Sequence, residues 1–192
     1  MRITHRYVHP NVKIGKGTYI HPTAVIYDGV EIGDNCYIGA YSIIGAPAEY
    51  PQQDMKQQFF GVTIGNNCQL HGHNTVDAGQ AYLPLRHLCF PTKIADGVTM
   101  MKGAHIGHNC NIHSDVTLSC GVKVGGFSTV REKSILGLNA TIHQKSDVAF
   151  GSMLGAGSFF KGVSSNALKV WVGSPAKPVK DNSVLLHRLN SK

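Results

Sequence analysis

The stretch Ile94-Ala-Asp-Gly-Val-Thr-Met100-Met-Lys-Gly-Ala-His-Ile106-Gly-His-Asn-Cys-Asn-Ile112 carries an apolar side chain at every sixth position. The spacing continues to Phe160 without a break, through Ile94, Met100, Ile106, Ile112, Leu118, Val124, Val130, Leu136, Ile142, Val148, Leu154 and Phe160. With 42% hydrophobic residues in the chain, such a run has odds of roughly one in thirty thousand, so the repeat is not a coincidence. An earlier block shows the same pattern at Val8, Ile14, Ile20, Ile26, Ile32, Ile38 and Ile44.

The position four residues after each of these apolar residues is small, as at Ala104, Cys110 and Ser128, and glycines recur between. A helix would drift out of a six-residue register within two turns, and an alternating strand would place more apolar residues between the sixes. A strand, a corner and another strand fit both features. The repeat therefore predicts a solenoid whose like positions stack about 4.8 Å apart, with the aliphatic side chains inside.

This pattern resembles the hexapeptide repeat of the left-handed parallel β-helix acyltransferases, in which three hexapeptides form one triangular coil of eighteen residues. The resemblance implies an all-β fold and supplies the left hand, since parallel crossovers in general favour the right. We expect one β-helix domain over residues 1–177 with a protruding loop at 49–61. We expect a short C-terminal helix within residues 178–192, capped by Asp181, to cover the open end of the solenoid.

Two segments interrupt the repeat. Between Ile44 and Ile64 the register slips by two, across the polar and glutamine-rich residues 49–60, and this predicts a loop that leaves the solenoid. The second segment, from Gln80 to Thr92, preserves the register because Val76 and Ile94 are eighteen residues apart. We expect it to form one distorted coil.

The formal net charge of +7 comes from scattered basic residues without a Lys/Arg block, which argues against nucleic-acid binding. An anionic partner fits better, such as the phosphates of coenzyme A, an acidic acyl carrier protein or a nucleotide sugar. A role in solubility alone is the alternative. The N-terminal residues lack an apolar signal core, and no apolar run reaches membrane-spanning length, so we expect a cytoplasmic protein without a membrane span.

His108 stands out within the repeat because it shares a column with Gly126 and Gln144, each eighteen residues further on. A glycine one coil away leaves its backbone N–H open to a molecule bound beside the imidazole. Histidine titrates near pH ~6.5 in water, so it is mostly neutral at cytoplasmic pH and able to accept a proton. A base next to an N–H donor suits acyl transfer through a tetrahedral oxyanion.

Further motifs carry a closer resemblance. Gln53-Asp-Met-Lys56 and Met101-Lys-Gly-Ala-His-Ile-Gly-His-Asn-Cys110, followed by Thr141-Ile-His-Gln144, are similar to the UDP-N-acetylglucosamine acyltransferase family. The resemblance implies that His108 is the general base and that the Gly126 N–H stabilises the oxyanion. It also implies a substrate or donor pocket lined by Gln53, Asp54, Lys56, His105, His143 and Gln144. That family carries aspartate where Asn109 stands and histidine where Phe127 stands.

The segment Trp171-Val-Gly-Ser-Pro-Ala-Lys177 resembles the closing coil of many hexapeptide acyltransferases, near the tail of bound coenzyme A. Gly155 and Lys177 are accordingly assigned to the cofactor. This ending is most like that of coenzyme A-dependent enzymes that modify nucleotide sugars for surface polysaccharides. The resemblance thus implies an acyl-CoA or acyl carrier protein donor, a hydroxyl or amine acceptor on a nucleotide-linked sugar, no metal, and a homotrimer with active sites between subunits.

A zinc enzyme is the alternative. The γ-class carbonic anhydrases share the fold and bind zinc through histidines with the H-x4-H spacing that His108 and His113 show. The third ligand of that class lies about two coils earlier. Counting back thirty-six residues from His108 gives Gly72, with His71 and His73 each one place away. The spacing thus matches His108 and His113 to two of the three zinc ligands, but it places glycine at the position of the third.

Overall fold

The computed structural model describes residues 7–49, 59–80, 90–164 and 166–190. Short strands follow one another around a triangular prism and form three parallel sheets, here called A, B and C. Sheet A contains β1 (Tyr7–Val8), β4 (Val25–Ile26), β7 (Ile43–Ala46), β10 (Thr75–Asp77), β14 (His105–Ile106), β17 (Lys123–Val124), β20 (Thr141–Ile142) and β23 (Phe159–Phe160). The all-β, left-handed parallel β-helix is confirmed.

Sheets B and C complete the prism. Sheet B contains β2 (Lys13–Ile14), β5 (Val30–Ile32), β8 (Phe59–Ile64), β12 (Thr92–Ile94), β15 (Asn111–Ile112), β18 (Thr129–Val130) and β21 (Asp147–Val148), and β11 (Gly79–Gln80) pairs antiparallel with β8. Sheet C contains β3 (Tyr19–Ile20), β6 (Tyr37–Ile38), β9 (Gln69–Leu70), β13 (Thr99–Met100), β16 (Thr117–Leu118), β19 (Ile135–Leu136), β22 (Met153–Leu154), β24 (Lys169–Gly173) and β25 (Ala176–Asp181).

The core is a set of aliphatic ladders that the six-residue repeat generates. Ile106 pairs in register with Val124, and Val124 with Ile142, so the side chains stack one coil above another. All three are at most 1% exposed. Because each coil buries its apolar residues only against its neighbours, stability depends on unbroken stacking.

Most of the described corners between sheets turn through a residue with left-handed backbone. At the corner from sheet A to sheet B these are Asn109, Phe127 and Lys145, with φ of 54°, 58° and 59°. Asparagine tolerates this conformation better than most residues, which accounts for Asn35, Asn67 and Asn139 at other corners. The backbone is also bonded from coil to coil here, because the Phe127 N–H donates to the His108 carbonyl oxygen at 2.9 Å.

Both interruptions of the repeat leave the prism at this same corner. Across the first interruption, between β7 and β8, Ile32 pairs with Ile64 instead of with the residue eighteen positions later. Residues 59–61 of the predicted loop belong to strand β8. The prediction of a distorted coil over residues 80–92 is wrong. Val76 lies in sheet A and pairs with Ile106, whereas Ile94 lies in sheet B and pairs with Ile64. The segment is an insertion between the two sheets, and the spacing of eighteen was coincidental.

The C-terminal end closes with a hairpin and a helix. β24 pairs with β22, and β25 folds back antiparallel on β24, so residues 178–181 are strand. The helix α1 spans Ser183–Asn190. Its N-cap is Asn182, whose Oδ1 accepts the Leu185 N–H at 3.3 Å, and the prediction of Asp181 as the cap is off by one. The Asn182 Nδ2 also donates to the Gly151 carbonyl oxygen, which fixes the helix to the last coil. Within the described residues, α1 is far too short to cross a bilayer.

Replacing Ile106 by Ala is expected to lower the free energy of unfolding by about 2–4 kcal/mol, because it opens a cavity between stacked coils. Urea titration followed by circular dichroism measures this change. The exposed Lys93→Ala variant serves as the control and should unfold like the wild type. Equal stability of the Ile106 variant would contradict the assignment of the core.

Candidate active site between sheets A and B

A column of polar and small residues follows the corner between sheets A and B, here called the A–B edge. In three successive coils it consists of Gly107–Asn109, Gly125–Phe127 and His143–Lys145. The first position packs closely on the next coil, since a Cβ at Gly107 would lie 2.9 Å from the Gly126 nitrogen. Close coil-to-coil contact at this edge brings the middle positions His108, Gly126 and Gln144 into line.

The imidazole of His108 lies directly over Gly126. A Cβ added at Gly126 would approach the His108 Nε2 to 2.6 Å, so only glycine leaves room for the ring. Phe127 packs against the imidazole edge to face, with ring centroids 4.9 Å apart. The ring is thus held between a backbone and an aromatic side chain, and it is half-buried.

The Gly126 N–H donates to no acceptor in residues 7–49, 59–80, 90–164 and 166–190. An N–H group without such a partner beside an imidazole suits acyl transfer, since it can donate to a developing oxyanion. One coil further, Gln144 is exposed and His143 is half-buried, with its Nδ1 2.9 Å from the Gln144 carbonyl oxygen. The structure thus brings together four of the predicted site residues on this edge: His108, Gly126, His143 and Gln144.

Asn109 connects His108 to the insertion that leaves the prism one coil earlier. Its Oδ1 lies 2.9 Å from the His108 Nδ1, and its Nδ2 donates to the Phe90 carbonyl oxygen at 2.9 Å and to the Gln80 carbonyl oxygen at 3.2 Å. From the sequence, Asn109 was notable only because the related family carries aspartate at this position. The sequence did not predict these contacts, because the insertion interrupts the eighteen-residue spacing between stacked coils.

His105 lies on β14 and faces outward on sheet A, beside the edge. Its Nδ1 is 2.8 Å from the Thr75 hydroxyl, and its Nε2 is 3.8 Å from the Asp77 carboxylate. Burial raises the pKa of Asp77 to about 7, and the nearby Glu49 adds to this effect. Burial, followed by the charge of Lys123, lowers the pKa of His105. Burial therefore favours the neutral forms of both groups, and their contact is a weak ion pair at best at neutral pH.

Asp77 is a site residue that the sequence did not indicate. It occupies the end of β10, in the coil before His108, where the register of sheet A shifts. Its side chain is only 16% exposed. A carboxyl group held this far from water, beside His105, is typical of a functional site.

The remaining predicted contacts lie elsewhere. Gln53, Asp54 and Lys56 fall outside the described residues. Gly155 lies at the corner between sheets C and A, packed against Val172, and Lys177 is exposed on β25. Neither therefore lies on the A–B edge.

The arrangement of the histidines does not favour the zinc alternative. His113 lies on the outer face of sheet B, with its Nδ1 2.8 Å from Glu132 and its Nε2 3.0 Å from the Asn111 amide. The column of His108 continues backwards to Ala78, not to Gly72, because of the insertion. Among the described residues, no three His, Cys, Asp or Glu side chains converge as a metal site.

Asp77→Asn is expected to stabilise the protein increasingly as the pH rises. The folded pKa of about 7 exceeds the ordinary value of 3.8, so the contribution of Asp77 to wild-type stability is fully present below about pH 4 and is lost as the pH rises to 7. The variant lacks this loss, and its advantage should grow by about 2–4 kcal/mol between pH 4 and pH 8. Thermal unfolding measured across this range tests it.

The control for this experiment is Asp28→Asn, an exposed carboxylate at the same corner of an earlier coil. That variant should show no comparable growth in stability towards pH 8. A constant difference between Asp77→Asn and the wild type across the pH range would show that Asp77 does not titrate as described.

Comparison with known proteins agrees with this geometry. Residues 11–46 match the family model "Bacterial transferase hexapeptide (six repeats)". The chain is 26% identical to the carnitine operon protein CaiE of a Proteus species over 92% of its own length and 68% of that protein. It is 27% identical to the acyl-[acyl-carrier-protein]–UDP-N-acetylglucosamine O-acyltransferase of Sinorhizobium fredii, over 80% of this chain.

The chain spans only 47% of that S. fredii enzyme. Among solved structures, the UDP-N-acetylglucosamine acyltransferase from Campylobacter jejuni superimposes with a TM-score of 0.85 at 25% identity, covering 96% of this chain and 69% of that one. The repeat, the sheets and these relatives agree. The chain thus carries the bacterial transferase hexapeptide repeat, is similar to hexapeptide-repeat acyltransferases, and has the left-handed β-helix fold of the UDP-N-acetylglucosamine acyltransferases.

Proposed function

We propose that the protein transfers an acyl group from a thioester donor to a hydroxyl or amine of a nucleotide-linked sugar, with His108 as the general base. The observation that carries this proposal is the placement of the His108 imidazole over Gly126, whose N–H has no acceptor among the described residues. The names of the S. fredii and C. jejuni relatives support the nucleotide sugar as the class of acceptor.

The reaction follows from this geometry. The acceptor hydroxyl or amine attacks the thioester carbonyl carbon while the His108 Nε2 takes its proton. The carbonyl oxygen becomes an oxyanion that accepts a hydrogen bond from the Gly126 N–H. When the tetrahedral intermediate collapses, the carbon–sulfur bond breaks, and the proton on His108 passes to the departing thiolate. The histidine then returns to its neutral form.

Substrate contacts are proposed from the groups around this centre. His105, His143 and Gln144 flank His108 on sheet A and the A–B edge, where they suit the hydroxyls of a sugar. Gln53, Asp54 and Lys56 belong to the insertion whose flanking strands, β7 and β8, meet at the same edge. We propose that this insertion also contacts the acceptor.

The donor is proposed to be acyl-CoA or an acyl-acyl carrier protein. The net charge of +7 suits the phosphates of either donor and the diphosphate of a nucleotide sugar. Gly155 and Lys177 lie in the coils beyond His108, towards the C-terminal end, and are proposed to contact the coenzyme A tail.

We further propose a homotrimer with active sites between subunits. The flat outer faces of a triangular prism pack readily around a threefold axis, and the A–B edge carries its polar groups on the outside of the monomer. A neighbouring subunit would then exclude water from the solvent-exposed side of His108.

His108→Ala is expected to lower the rate of acyl transfer at least about a hundredfold, because the base is lost. The acylated sugar is measured by mass spectrometry after incubation with acetyl-CoA, longer acyl-CoAs or acyl-acyl carrier protein. The acceptors are UDP-N-acetylglucosamine and an amino-sugar nucleotide.

His113→Ala is the matched control, since it removes a histidine of the next sheet that the proposal does not use. Its acyl-transfer rate should stay near that of the wild type. Undiminished transfer by His108→Ala would overturn the mechanism. Carbon dioxide hydration that requires both His108 and His113 would instead establish the zinc alternative.

The trimer predicts a mass of about 62 kDa in solution, three times the 20.7 kDa chain. Light scattering coupled to size exclusion at micromolar concentration measures it. A mass equal to that of one chain would contradict the proposal of shared active sites.

A further inference from the structure

The Asn109 side chain is 2% exposed, and every polar atom of its amide has a partner. Its Oδ1 lies near two nitrogens, the His108 Nδ1 at 2.9 Å and the Gln80 backbone N–H at 3.2 Å. Its Nδ2 donates to the carbonyl oxygens of Gln80 and Phe90. One buried amide therefore links the imidazole to both described ends of the insertion between β11 and β12.

The orientation of this amide is fixed by its surroundings. With the amide reversed, its oxygen would face two carbonyl oxygens and its NH₂ would face the Gln80 N–H, so three hydrogen bonds would become repulsive contacts. The backbone N–H of Asn109 is also held, since it donates to the Thr92 hydroxyl at 2.8 Å. The Oδ1 must therefore face the His108 ring.

An amide oxygen only accepts hydrogen bonds, so the His108 Nδ1 must carry the proton. The Gln80 Nε2 also approaches this Nδ1 but lies 3.4 Å away, compared with 2.9 Å for the Asn109 oxygen. The shorter contact decides between the two tautomers. With the proton on Nδ1, the lone pair is on Nε2, the atom that lies over Gly126.

We propose that Asn109 is a positioning residue that holds His108 in its Nδ1–H tautomer and aims the Nε2 lone pair into the site. The same amide fixes the two ends of the insertion beside the imidazole. The consequence for catalysis rests on the proposed function, whereas the tautomer itself does not.

The double role explains why the chain has an amide where the related family has a carboxylate. An aspartate could accept the Nδ1–H bond, but its second oxygen would meet the Gln80 and Phe90 carbonyl oxygens with no hydrogen to donate. The asparagine gives up a charge beside the imidazole and gains two hydrogen bonds to the insertion. It is also well suited to the left-handed backbone, with φ of 54°.

The tautomer is read directly from long-range ¹H–¹⁵N correlation spectra of the full-length protein labelled with ¹⁵N-histidine, at a pH where imidazole is neutral. The His108 signals are assigned by their loss in His108→Gln. Asn109→Gly removes the amide and still accepts the left-handed backbone. Asn109→Asp keeps the acceptor, and Asn111→Ala, which removes an amide beside His113, is the matched control.

We expect the Nδ1–H form in the wild type, in Asn109→Asp and in Asn111→Ala, and a shift towards the Nε2–H form in Asn109→Gly. A wild-type spectrum of the Nε2–H form, or an unchanged His108 in Asn109→Gly, would overturn the proposal. These spectra need no substrate, so they stand even if no acyl transfer is found.

Kinetics give the second readout. Asn109→Gly should lower kcat about ten- to a hundredfold with KM little changed, because the base has the wrong tautomer. Asn109→Asp should move the acid limb of the pH–rate profile to higher pH, because its charge stabilises the imidazolium. A purely structural role would instead leave the profile of Asn109→Asp in place, and that result would contradict the assignment.

Discussion

The constraint on which this structure depends is the hydrogen-bonded stacking of coils at a fixed register. Between Ile94 and Phe160 the paired strand residues lie directly over those eighteen positions later, as Ile94 lies over Ile112 and Ile142 over Phe160. The aliphatic ladders provide the hydrophobic stabilisation, and the backbone bonds between coils fix the corners. A side chain at a corner is therefore placed by residues on the coils around it, which is how a rigid site arises without a helix or a long strand.

The A–B edge differs from the other two corners of the prism because both insertions connect a strand of sheet A to a strand of sheet B. Each one replaces the regular corner of its coil, and the described ends of the second, Gln80 and Phe90, contact the next regular corner, which carries His108. Asp77 ends strand β10 of sheet A, and Gln80 lies on β11, which pairs with β8 of sheet B where the second insertion begins. Regular coils thus supply His108 and the Gly126 N–H, and the second interrupted coil supplies Asp77 and Gln80 near them.

Much of this could be predicted from the sequence, because the repeat is a direct image of the stacking. The apolar residue at every sixth position identified the core, and the eighteen-residue length of a coil placed Gly126 beside His108. Counting failed where an insertion intervened, since Val76 and Ile94 keep the right spacing but lie in different sheets. For the same reason Asp77 and the links of Asn109 to Gln80 and Phe90 were out of reach. These contacts depend on which coil lies next to the ends of the insertion, and the repeat pattern of the sequence does not contain that information.

The central claim is that acyl transfer takes place at the A–B edge. Hydrogen–deuterium exchange measured by mass spectrometry, with and without the thioester and nucleotide sugar that yield product, tests this claim most directly. The account predicts protection of peptides that cover residues 107–109, 125–127 and 143–145, which lie one above another at this edge. Protection confined to sheet C and α1, with these three corners unchanged, would contradict it.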